Sequence, residues 1–192
     1  WMRRGPRATT CAWCICELST ALKDGKELLV ELAPDDRTDL RRTLETTPGE
    51  LDSVLAEIDC SQAQISKVED REHILPRVLA AGGFAGVNEQ VKAALRDWLA
   101  ETGRALLREA EARGDAALRL QGGLATLLWL QGKYAEAEPL FRRALAGKEA
   151  ALGAEHPATL DTVGNLALLL AQQGKHAEAE VLYRRALAGK EA

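Results

Sequence analysis

The sequence predicts a mainly α fold: a solenoid of stacked helical hairpins over residues 115–192, preceded by a partial α/β or helical segment. Three observations carry this. GKYAEAEPLFRRALAGKEA at 132–150 returns as GKHAEAEVLYRRALAGKEA at 174–192, an offset of 42 residues with 16 of 19 positions identical. Apolar residues on both sides of each Gly-Lys pair recur at helical spacing. The composition is 46% hydrophobic but only 4% aromatic, with Ala and Leu dominant, which suits packed helices better than sandwiches. A repeat of this length is a supersecondary unit that cannot bury its apolar face alone and stacks on its neighbours.

Residues 11–23 read as a helix, with Trp13, Leu18 and Leu22 in apolar register and Gly25 to end it. ELLVELA at 27–33 is a short apolar run between Lys26 and Pro34, and its length favours a buried strand. A lone strand makes no sheet, so its partners are expected upstream of this chain, or the strand is an exposed edge. Residues 36–45 suggest a short helix, and Pro48 opens another over 49–58 with Leu51, Val54, Leu55 and Ile58 on its face. Residues 62–80 continue helically with an interruption expected at Pro76. Gly82-Gly83, with Gly86 close behind, marks a flexible break. Residues 87–113 are amphipathic, with Val87, Val91, Leu95, Trp98 and Leu99 apolar, and Gly103 is expected to weaken or divide the helix.

The repeat half follows Gly114-Asp115. In the second unit Leu160, Val163, Leu166, Ala167 and Leu170 keep helical spacing, Gly174-Lys175 turns the chain, and Ala179, Leu182, Tyr183, Ala186 and Leu187 form the stripe of the returning helix. In the first unit Leu124, Ala125, Gly132, Tyr134, Ala137, Phe141 and Ala144 stand at the corresponding places. The aromatic at 141 and 183 is expected to wedge between stacked units. Gly153 ends one hairpin and Pro157 opens the next, where its missing N–H costs nothing. His156 belongs to that turn.

The organisation expected is therefore 1–86 as an α/β remnant, 87–114 as a connecting or capping helix, and 115–192 as two repeat units. Both ends read as cut, with further repeats expected after Ala192. Net charge is -4, so no basic excess marks a nucleic-acid partner. No apolar run approaches the ~20 residues of a membrane span. WMRRGPRATT has arginines but no apolar core behind them, so it does not read as a signal peptide. Cys11, Cys14 and Cys16 are crowded together and Cys60 stands apart. That is no disulfide framework, and a reducing, cytoplasmic setting is expected. Cys11-x-x-Cys14-x-Cys16 has zinc-like spacing, but the second ligand pair is missing. Only Cys60 and His73 remain, so no metal is expected. No phosphate loop, GxSxG elbow or HExxH is present.

GKYAEAEPLFRRAL and its copy resemble the tetratricopeptide repeat. The 42-residue period and the joint from Leu152 to Leu160 leading to Asn165-Leu166-Ala167 look like its kinesin-light-chain type. The resemblance implies a protein-binding scaffold whose first helices line a concave groove for a peptide or a partner helix. It places Asn165 where an asparagine hydrogen-bonds the ligand backbone. An amide offers both a donor and an acceptor there. Residue chemistry alone equally allows a solvated or capping Asn165, and the first unit has Gly123 at that place. Lys133, Arg142, Arg143, Lys175, Arg184 and Arg185 read as a solvated basic face. A kinesin light chain proper, linking cargo to a motor, would carry heptads, and 87–113 shows no sustained heptad.

CAWCICEL at 11–18, with ALKDGKELLVELA and GFAGVNEQVKAALRDWL, resembles the C-terminal part of a Toll/interleukin-receptor (TIR) domain. In the members that cleave NAD the glutamate of this motif is catalytic, which carries over to Glu17 alone. Cys11 replaces the usual serine, and the strands and loop that hold the nucleotide are not in this chain. No enzymatic activity and no cofactor are therefore expected of it. The partner expected is a protein or peptide, not nucleic acid or membrane.

Overall fold

The computed structural model describes residues 20–22, 24, 32–62, 68–113 and 117–191. The helix expected at 11–23 and the strand at 27–33 fall mostly outside them, as do Cys11, Cys14, Cys16 and Glu17. Among the described residues the regular structure is helical: α1 (Pro34–Thr46), α2 (Pro48–Ala56), α3 (Val68–Ala80), α4 (Gly83–Ala112), α5 (Leu118–Leu130), α6 (Tyr134–Leu152), α7 (Pro157–Gln172) and α8 (His176–Glu191), with a 3-10 turn at Cys60–Gln62. The chain divides into two compact units. One is Trp1–Leu40 with Asp52–Glu101, the other Arg41–Leu51 with Thr102–Ala192.

In the first unit the apolar positions of α4 read from the sequence are buried: Val87, Val91, Leu95 and Leu99, with Trp98 at their margin. Leu55, Cys60, Ile74 and Val78 are buried as well. Polar groups tie α2 and its following turn to α4. Asn88 Oδ1 accepts the Cys60 N–H at 2.7 Å, Lys92 Nζ donates to the Ala56 carbonyl at 3.1 Å, and Arg96 pairs with Asp52 at 3.3 Å. Cys60 is an unpaired thiol whose pKa burial raises, and His73 is exposed.

Two helix breaks expected from the sequence are absent. α3 runs through Pro76 without interruption. The proline falls in the third turn, so the helix is already nucleated when the ring removes one hydrogen bond. α4 runs through Gly103. A Cβ on Gly103 would stand 2.8 Å from Leu124 Cδ1, so the missing side chain is a packing space rather than a hinge. The break at Gly82-Gly83 is present, with φ of 86° and 74°.

In the second unit α5 packs on α6, α6 on α7 and α7 on α8. Both hairpin turns close alike. Gly132 and Gly174 take φ of 75° and 78°, the Lys133 N–H reaches back to the Leu128 carbonyl, and the Lys175 N–H to that of Leu170, both at 2.9 Å. This is the six-residue closure of a glycine-ended helix, and only glycine enters it without strain. At the joint between hairpins Gly153 ends α6, Pro157 opens α7, and His156 Nδ1 accepts the Ala158 N–H at 3.1 Å. His156 is thus the N-cap of α7, a sharper role than the turn residue the sequence suggested.

Candidate binding face

The first hairpin and α7 bury the stripe that the repeat prescribes; on α8 only Ala179 and Ala186 are buried, and Leu187 and Tyr183 of the expected stripe are open. Leu124, Ala125, Ala137, Phe141 and Ala144 are buried in the first; Leu160, Val163, Leu166, Ala167, Leu170 and Ala179 in the second. Small residues at 125, 137, 144, 167 and 179 let the helices approach, and the large ones fill the seams. Phe141 is buried. Its counterpart Tyr183 is half-open, beside a hollow of about 360 Å³ lined by His176, Ala179, Glu180 and Leu187.

Asn165 is exposed on α7, between the buried Val163 and Leu166. Its amide therefore stands in water on a helix whose opposite side is locked into the core. Gly123, at the same place in α5, is buried. What covers it is the backbone of Leu44: a Cβ on Gly123 would come within 2.7 Å of the Leu44 carbonyl carbon and overlap its oxygen.

The basic residues of the returning helices are engaged, not merely solvated. Glu138 accepts from Lys175 Nζ and Arg142 Nη2, each at 2.8 Å, and Arg142 also reaches Glu178 at 3.2 Å. Lys175 chiefly, then Arg142, hold the Glu138 carboxyl down to about 2 from 4.5. Arg185 pairs with Glu149 at 2.6 Å, and Arg184 with Glu180. Arg142–Glu138 and Arg184–Glu180 brace single helices, while Lys175–Glu138, Arg142–Glu178 and Arg185–Glu149 join α6 to the next hairpin.

The same ladder extends one layer earlier. Arg104 of α4 pairs with Glu136, as Arg142 does with Glu178. Glu111 of α4 pairs with Arg143 at 2.8 Å, as Glu149 does with Arg185. Arg104 and Glu111 lie 38 residues before Arg142 and Glu149, while their acceptors and donors follow the 42-residue offset. The last turns of α4 therefore stand to the first hairpin as α6 stands to the second. Sequence reasoning missed this third layer because Gly103 replaces the aromatic of the repeat, and the Arg-to-Glu spacing of seven residues was the signal to find it.

Lys148 Nζ donates to Thr162 Oγ1 at 2.7 Å and to the Ala158 carbonyl at 3.3 Å, joining α6 to α7, and burial lowers its pKa. Among the described residues no group of three or more His, Cys, Asp or Glu side chains is placed to hold a metal, and no helix is long and apolar enough to cross a membrane.

Residues 115–192 match the tetratricopeptide repeat family. A search of the curated proteins found no match. Repeats of this family support a protein–protein interaction scaffold in general terms.

Proposed function

We propose that this chain is a scaffold or adaptor that holds a protein partner, as an extended peptide or a helix, on the face of α7 that carries Asn165. The tetratricopeptide repeats over 115–192 are the premise. The observation that carries the reading is the exposure of Asn165 on a helix otherwise fixed by Val163, Leu166 and Ala167. An amide carried in solvent by a fixed helix offers a donor and an acceptor to a peptide unit without any ordering of the backbone beneath it. α4 would act as the cap of the array, and its ion pairs Arg104–Glu136 and Glu111–Arg143 support that role. A cargo-adaptor role of the kinesin-light-chain kind is the second reading, favoured by the 42-residue period and the joint from Leu152 to Leu160.

Peptides selected from a random displayed library on the full chain test this. Asn165→Ala is expected to weaken the selected peptides about tenfold, the worth of one well-placed hydrogen-bonding amide, with thermal unfolding unchanged. Equal affinity for both proteins would place the binding elsewhere.

A further inference from the structure

Gly123 and Asn165 hold the same place in successive hairpins, yet Gly123 is covered and Asn165 open. The cover is main chain. A Cβ at Gly123 would overlap the Leu44 carbonyl and lie 3.6 Å from the Glu45 nitrogen, so no side-chain rotation could relieve it. Leu44 is fully buried, its Cδ1 lies 3.7 Å from where a Gly103 Cβ would stand, and Leu51 is buried too. The segment carrying them, Arg41–Leu51, is counted with the repeats rather than with its sequence neighbours. It is tightly folded locally: Arg41 pairs with Glu45 at 2.9 Å and Thr46 Oγ1 donates to the Arg42 carbonyl at 2.8 Å.

We propose that Arg41–Leu51 is an intramolecular occupant of the first hairpin's partner face, closing that face in cis while the second stays open at Asn165. This rests on the reading of the α7 face as the binding face. The segment is the end of α1 and the first turn of α2, it meets the hairpin about 80 residues away along the chain and shares no helix with α5, and glycine at 123 is what lets it seat. A partner that takes the whole array must displace it, and the first hairpin then adds its surface to the second. The displacing partner presents its own main chain to Gly123, with an apolar side chain in place of Leu44.

Hydrogen exchange on the full chain tests this without any ligand. Amides of Thr43–Glu50 are expected to exchange at least about tenfold faster than those of Leu124–Leu128 and Leu166–Leu170, through an opening confined to the segment. Gly123→Ala is expected to raise that rate by a further factor of about ten and leave α7 unchanged. Gly164→Ala, which meets nothing within 4 Å, is the control and is expected to leave the segment's rate as it was. Exchange of the segment only in step with the hairpin core overturns the proposal. So does a Gly123→Ala protein that loosens α7 and α8 equally or loses its cooperative melt, since the segment is then fixed core. Failure to select any peptide counts against the binding reading alone and leaves the exchange result standing.

Discussion

Phe141 and Tyr183 occupy the same place in consecutive hairpins, and only Phe141 is covered: it is 2% exposed, Tyr183 40%. α7 packs on α6, the helix that carries Phe141. Phe141→Ala is expected to cost about 3–5 kcal/mol, the usual loss for emptying a packed aromatic site. Tyr183→Ala is expected to cost less than about 1 kcal/mol, because much of the ring is already in water. Urea unfolding of the two variants checks this, and equal losses would mean the two rings are equally packed.

The repeat half was legible because its signals are local and doubled. The glycines at 132 and 174 and Pro157 at the joint set the hairpins, and the duplicated stripe set the core. The first half was less legible for identifiable reasons. Pro76 and Gly103 are helix breakers by propensity, and tertiary packing overrides both: Gly103 is filled by Leu124. Arg142, Arg143, Lys175 and Arg185 looked like a solvated face because each pairs with an acid 32 to 37 residues away, a separation that only stacking closes. Leu44 over Gly123 left no trace at all, since a backbone contact across the chain has no sequence period. Asn165 was found only through family resemblance; its exposure is consistent with that place and with a solvated amide alike.

Two glycines ten residues apart are expected to respond with opposite sign. Gly164 lies inside α7, and a Cβ there meets nothing within 4 Å. Gly164→Ala is expected to stabilise by about 0.5–1 kcal/mol, since it restricts the unfolded chain and favours the helix. Gly174 sits in the turn at φ 78°. Gly174→Ala is expected to destabilise by about 1–2 kcal/mol, the cost of a Cβ in the left-handed region. Thermal melts of both variants decide it; a stabilised Gly174→Ala would show that the turn relaxes to another geometry.

Lys148 joins α6 to α7 while burial, reinforced by Arg119 and opposed by Asp161, lowers its pKa from the ordinary 10.5. The sign follows from proton linkage. Below the lowered value both states hold the proton, and stability is flat. Between that value and 10.5 the unfolded chain holds more protons, so stability rises with pH. Lys148→Met keeps the stem in place and removes the titration. Urea unfolding at several alkaline pH values is expected to show the two proteins converging or crossing as pH rises, with the wild type gaining. Parallel curves would mean that the ammonium is as well hydrated folded as unfolded.

Glu138 ties one hairpin to the next through Lys175, and Arg142 on its own helix holds the same carboxylate. Its folded pKa, about 2, lies below its ordinary 4.5. Above 4.5 both states are ionised and the full contribution is present. As pH falls below 4.5 the unfolded chain takes the proton first, and the contribution drains until the folded carboxyl protonates near 2. Both cations lie partly in water, so screening reduces the gain, and Glu138→Gln is expected to cost about 1 kcal/mol at neutral pH. The gap between wild type and variant should shrink steadily on acidification and also on raising salt, because the pair is open to counterions. Urea unfolding across the acid range measures it. A gap that stays constant with pH would mean that Glu138 acts through packing of its stem and not through its charge.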